Sequence, residues 1–256
     1  MPMRRLLLLC AASLCCTTGL NAGDLKMQFV FDGNVPAAKP IDVNRDQEFC
    51  GKHGLTDESL VINPKNKGIK NVIVYVYTGR GGSDLPESPE KNTVHELANK
   101  NCRFEPHVVV AQVGDTLKVT NPDPVGHNAN LNFLKNNAAN LMIPAGQEKV
   151  VKLTESEPAP IPVECNIHPW MKSYVVVLDH PYAAVSDEDG NLVIKGLPNE
   201  ELVFRVNIEA ADGSLKEVIV DGKKQEWKRN RFEVDIKEGV NDLGVVKIQP
   251  NQLKMP

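Results

Sequence analysis

The segment Cys165-Asn166-Ile167-His168-Pro169-Trp170-Met171 spaces a thiol, an imidazole and a thioether three residues apart. Pro169 argues against a helix showing these groups at i, i+3 and i+6, because an interior proline removes a helical hydrogen bond and clashes with the preceding turn. The segment is therefore a short loop. Directly after it, Ser173 to Leu178 is a continuous apolar run suited to a buried strand, which anchors the loop's far end in a sheet.

The other regular segments also read as strands. Asn71 to Thr78 is rich in β-branched and aromatic residues, and Thr116 to Thr120 alternates. Leu202, Phe204, Val206 and Ile208 alternate with Val203, Arg205, Asn207 and Glu209, the mark of a strand with one buried face. Phe232, Val234 and Ile236 repeat that pattern. Helices are expected only over Thr93 to Lys100 and Phe133 to Leu141. Gly79 to Asn92 and the proline-bearing Ser156 to Pro162 read as loops, the latter unsuited to central sheet pairing. The fold class is all-β.

The chain begins as an exported precursor does. Arg4 and Arg5 give a basic start, Leu6 to Cys16 are apolar but too short to span a bilayer, and Ala22 offers a cleavage point. Neither Cys15 nor Cys16 has the small preceding residue that lipoprotein processing wants. No later stretch is long and apolar enough to cross a membrane. Removal of residues 1–22 leaves about 230 residues, enough for one large or two small β domains. Arg4 and Arg5 leave with it, so the formal charge moves from −4 to −6, which argues against a nucleic-acid partner. The cysteines that remain are Cys50, Cys102 and Cys165. An odd count in an oxidising compartment implies one bridge and one cysteine with another task. If Cys165 is a metal ligand, Cys50 and Cys102 form the disulfide; three buried free thiols are the alternative.

Cys165, His168 and Met171 are a soft, mixed donor set of the kind that suits copper. They lack only a second imidazole, and His127 in Pro124-Val125-Gly126-His127-Asn128 is the candidate. Zinc would want a fourth cysteine, histidine or carboxylate and no thioether. Covalent haem needs Cys-x-x-Cys-His, which is absent. A papain-like nucleophile would need a histidine base and an orienting partner, in a sequence context unlike that of Cys165. The His-x-His pairs that advertise further copper centres in copper oxidases and nitrite reductases do not occur. His53 and His95 would make a second metal site only by meeting in space; single histidines more commonly make ordinary hydrogen bonds.

With those residues in view, the segment resembles the ligand loop of the cupredoxins, with the spacing and the proline of the amicyanin and plastocyanin type. Phe104-Glu105-Pro106, Val113-Gly114-Asp115-Thr116, Asn121 and His127-Asn128 resemble the stretch that leads to the first histidine of that family. The resemblance covers residues 104 to 180. It implies a Greek-key β-sandwich, one copper per chain cycling between Cu(I) and Cu(II), and the ligands His127, Cys165, His168 and Met171. Met171 is then the weak axial ligand, His168 the electron port, and Asn128 the residue that ties the ligand loops together. Trp170, between two ligands, serves either as a docking contact for a redox partner or as a shield for the metal.

From residue 181 onward, Ser186-Asp187-Glu188-Asp189-Gly190-Asn191 and Gly196-Leu197-Pro198-Asn199-Glu200 read as turns between short strands. This part is similar to the carboxypeptidase regulatory-like, transthyretin-like sandwiches. The expected organisation is a signal peptide at 1–22, a cupredoxin-like copper domain at 24–180 and a smaller β-sandwich at 181–256. The expected function is that of a periplasmic or secreted, non-enzymatic blue-copper electron carrier with an unidentified protein redox partner. Copper delivery or sequestration is the first alternative, and a cell-surface binding module with a structural copper site is the second.

Overall fold

The computed structural model describes residues 22–255, so the expected signal peptide lies outside the described residues apart from Ala22. Eighteen strands, one short helix and two 3-10 turns account for the regular structure among them. They form four sheets, and two main hydrophobic cores divide them into two sandwiches.

The first sandwich carries the ligand loop. One of its sheets runs, from edge to edge, through Val108–Gln112, Lys172–Leu178, Ile161–Glu164, His127–Leu131 and Ala139–Ile143. The facing sheet runs through Arg103–Glu105, Val94–Lys100, Thr116–Thr120 and Glu148–Lys152. Leu97, Leu117, Leu131, Val163, Val175 and Val177 fill the space between the two sheets.

The second sandwich draws on both ends of the chain. Ala22–Phe31 lies between Asn191–Pro198 and Gly239–Ile248, and Ile73–Val76 lies between Ala183–Val185 and Glu201–Asn207. Leu25, Phe29, Val74 and Val76 thus share a core with Leu192, Phe204, Trp227 and Ile248. The chain path is discontinuous: residues 24–180 run through both sandwiches. The cause lies in the alternation of Ala22–Phe31, whose buried Leu25, Met27, Phe29 and Phe31 need a facing apolar sheet, which Ile73–Val76, Ala183–Val185, Glu201–Asn207 and Arg231–Asp235 supply.

A third small core joins the two sandwiches. Ile73 and Tyr75 point away from their own interior and meet Val108, Val176 and Leu178 of the ligand-bearing sheet. The period of two makes this possible, because Val74 and Val175 serve one face of each strand while Ile73 and Val176 serve the other. The apolar run from Ser173 to Leu178, within the strand Lys172–Leu178, is explained by burial on both faces.

Three local expectations are corrected. Val94–Lys100 is a strand, not a helix; it pairs in parallel with Thr116–Thr120 and turns through Asn101-Cys102 into Arg103–Glu105. Both turn residues have positive φ, as the favoured two-residue hairpin turn requires. No helix forms over 133–141. The buried Glu157 carboxylate instead accepts the backbone N–H groups of Leu134, Lys135 and Asn136 at 2.9 to 3.2 Å, which holds that stretch in an open turn. Pro162 does lie in a central strand. It pairs with Tyr174 on one side, while pairing with His127–Leu131 begins only at Val163, so its missing N–H costs no ladder bond there.

Candidate metal centre

His127 opens the strand His127–Leu131 and is fully buried. The loop before it, Asn121-Pro122-Asp123-Pro124-Val125-Gly126, is braced by Asn121. The Asn121 side chain donates to the carbonyls of Val125 and Ile143 at 2.8 Å each and accepts the N–H of Asp123 at 3.0 Å. Asp123 is thereby turned inward, and His127 Nε2 lies 3.0 Å from its Oδ2. The same carboxylate accepts the backbone N–H groups of Asn101 at 2.7 Å and Cys102 at 2.8 Å.

Cys165 follows the strand Ile161–Glu164, and the loop after it closes on itself. The N–H of Met171 donates to the carbonyl of His168 at 2.9 Å, and the N–H of Cys165 to the carbonyl of Met171 at 3.2 Å. The His168 N–H donates to Cys165 Sγ at 3.4 Å. Cys165, His168 and Met171 are all buried. Ligand atoms of His127, Cys165 and His168 lie within 4.8 Å of one another. Met171 is buried in the same core and its backbone closes the loop.

Asn128 connects the two segments. Its Oδ1 accepts the N–H of Asn166 at 2.8 Å and lies 3.4 Å from Cys165 Sγ, while its Nδ2 donates to Asn166 and Asn140. Trp170 is half-buried: its ring is tilted against His168, 5.2 Å between centroids, and its Nε1–H donates to the carbonyl of Cys102 at 3.0 Å. The Cys50–Cys102 disulfide is present, with Cα atoms 5.5 Å apart, and Cys165 is the free cysteine among the described residues.

The electrostatics of this cluster follow from its hydrogen bonds. Each histidine faces a carboxylate through Nε2: Asp123 for His127, and Asp46 Oδ2 at 2.8 Å for His168. An ionised carboxylate only accepts, so both Nε2 atoms are donors and each neutral ring turns the lone pair of Nδ1 inward. The two Nδ1 atoms are 3.0 Å apart. Two lone pairs at that separation repel unless a cation lies between them. Protonated, one ring supplies it. Burial works against a charged His168, but its bonds to Cys165 and Asp46 outweigh that and raise its pKa. Burial likewise pushes the Cys165 thiol up, yet hydrogen bonds from the His127 and His168 side chains and from backbone at Asn128 and His168 bring it down to about 6. The donor set is therefore two inward nitrogens and a thiolate around a position that favours positive charge, which fits a soft metal cation.

Asp46 and Asp123 are absent from the sequence-level reading. Asp123 stands four residues before His127 and was open to suspicion; Asp46 is separated from His168 by 122 positions and left no local signal. Cys102, Asp123 and His127 also lie within ligand distance, but the Cys102 sulfur is spent in the disulfide. His95 is bonded to Asp115 at 2.8 Å and His53 packs edge-on against Phe49, so each has a separate structural partner.

Among solved structures, the chain is similar to a variant of amicyanin in the Cu(I) form, at 23% identity and a TM-score of 0.30, over 33% of this chain and 81% of that one. It is also similar to the purple cupredoxin of Nitrosopumilus maritimus, at 21% identity and a TM-score of 0.27, over 32% and 97% of the two chains. A copper-containing nitrite reductase from Thermus scotoductus SA-01 matches at 20% identity and a TM-score of 0.30, over 39% of this chain and 24% of its own. No protein-family model and no curated protein matches the chain.

Proposed function

We propose that this protein is an exported blue-copper electron carrier that binds one copper through His127 Nδ1, Cys165 Sγ and His168 Nδ1, with Met171 as the fourth, weaker ligand. The observation that carries the reading is the pair of inward Nδ1 atoms 3.0 Å apart beside a thiol lowered to about 6, with both Nε2 atoms held as donors. Bound copper supplies a one-electron couple between Cu(I) and Cu(II). The protein's part is rigidity. Asn128 fastens one ligand segment to the other, the backbone bonds between Cys165, His168 and Met171 fix the loop, and the buried surroundings exclude water. A ligand set that does not rearrange costs little when the metal changes oxidation state. The disulfide supports an oxidising compartment, hence periplasm or exterior.

The test is a copper titration. Wild type takes up one copper per chain, turns intensely blue, cycles reversibly between oxidation states, and loses the colour in Cys165→Ser. Colourless protein that binds no copper would overturn the proposal.

One observation favours the second reading, copper sequestration or delivery with the same ligands. His168, the electron port that the cupredoxin resemblance implies, is fully buried beneath Asp46. Colourless protein that holds Cu(I) and yields it to a chelator identifies that function instead.

A further inference from the structure

The segment that carries Asp46 breaks two local rules at once. Asp46 sits at the N-cap of the short helix Gln47–Cys50, where an aspartate ordinarily accepts a backbone N–H of the first turn, yet its side chain makes no capping bond. It also adopts a left-handed conformation, φ 44° and ψ 42°, in place of the extended backbone usual at an N-cap. Both departures aim the carboxylate at His168 Nε2, 2.8 Å away. Four residues on, Cys50 is bonded to Cys102, and the N–H of Cys102 donates to the carboxylate that holds His127. A continuous frame results: His127 to Asp123, Asp123 to Cys102, Cys102 to Cys50, and Cys50 through one helical turn to Asp46 and His168. Trp170 joins the same frame through its bond to the Cys102 carbonyl.

We propose that Asp46 is a positioning residue for His168: the strap it belongs to, locked by the Cys50–Cys102 disulfide, fixes the ring with Nδ1 toward the metal position and seals the edge of that ring from solvent. The inference rests on the copper reading for its second consequence only. A carboxylate hydrogen-bonded to the far nitrogen of a ligand imidazole makes the ring a stronger donor and orients it. A stronger donor and a nearby negative charge both favour Cu(II) over Cu(I). Asp46 thus lowers the reduction potential, and an electron must enter or leave by a route other than the His168 edge.

Two measurements on the full chain test this. In metal-free protein, the nitrogen chemical shifts of His168 report which ring nitrogen carries the proton in the neutral ring. Wild type shows Nε2–H; Asp46→Ala gives a mixture of tautomers; Asp46→Asn, which keeps an acceptor oxygen, restores Nε2–H. In copper-loaded protein, Asp46→Ala and Asp46→Asn both shift the relative affinity for Cu(I) over Cu(II) by about tenfold, a rise of about 59 mV. Glu48→Gln removes a charge from the same turn without touching His168 and leaves both readouts as in wild type. Unchanged tautomer and potential in Asp46→Ala, with the blue band intact, would overturn the inference and leave the copper site standing. Wild type that takes up no copper while Asp46→Ala still scrambles the tautomer would sink the copper reading and leave Asp46 as the residue that orients His168.

Discussion

The Oδ1 of Asn128 accepts the backbone N–H of Asn166 at 2.8 Å, so the strand that begins at His127 is pinned to the loop that runs from Cys165 to Met171. The same oxygen faces Cys165 Sγ at 3.4 Å. Asn128→Ala therefore leaves the N–H of Asn166 without its partner and removes a tie between the two halves of the site. The expected loss of stability is about 2 kcal/mol, measured as a shift in the urea midpoint at constant slope. A variant as stable as wild type would show that Asn128 only fills space.

The disulfide closes a long stretch of chain, Cys50 and Cys102 being 52 positions apart. By loop entropy, Cys50→Ser with Cys102→Ser costs about 4 kcal/mol. Urea unfolding of oxidised protein, reduced protein and the double variant checks it: the last two should coincide well below the first.

Glu209 gives the acid dependence. Its carboxylate accepts from His107 Nε2 at 2.7 Å and lies 3.5 Å from Lys172 Nζ, joining the second sandwich to the first. Burial raises its pKa, but the His107 hydrogen bond, with the charges of His107 and Lys172, outweighs it and the net shift is downward. A folded pKa below the unfolded value means stability that is fully present above the unfolded pKa, about 4.3, and is lost as pH falls through the folded one. Glu209→Gln should therefore be less stable than wild type by about 2 kcal/mol at pH 7. The gap should narrow below pH about 4. A gap that stays constant down to the acid transition would exclude the charge as its source.

Glu157 holds the turn at Leu134 to Asn136 by accepting three consecutive backbone N–H groups. Glu157→Ala leaves these donors unpaired at a cost of about 3 kcal/mol. Hydrogen exchange should accelerate at those three amides before it does so in the strand His127–Leu131. Uniform acceleration would instead mean a global loss of stability.

The amino-acid sequence by itself determined the all-β class and the nearness of Cys165 and His168. Each rests on short-range physics: alternation along a strand needs only neighbouring residues, and a loop of a few residues stiffened by Pro169 keeps the thiol and the imidazole together wherever the loop is placed. The Cys50–Cys102 pair followed from an odd count of three cysteines only once Cys165 was set aside as a metal ligand. Thr93 to Lys100 carries a helical expectation because its exposed and buried residues fit a helix nearly as well as the strand Val94–Lys100 until Thr116–Thr120 lies beside it. Only the tertiary structure decided that Ala22–Phe31 closes a sheet with Asn191–Pro198 and Gly239–Ile248. Only it turned Asp46 onto His168. Strand partners and hydrogen bonds across 122 positions are selected by which faces and donors meet once the cores have formed, and no local pattern of residues encodes that meeting.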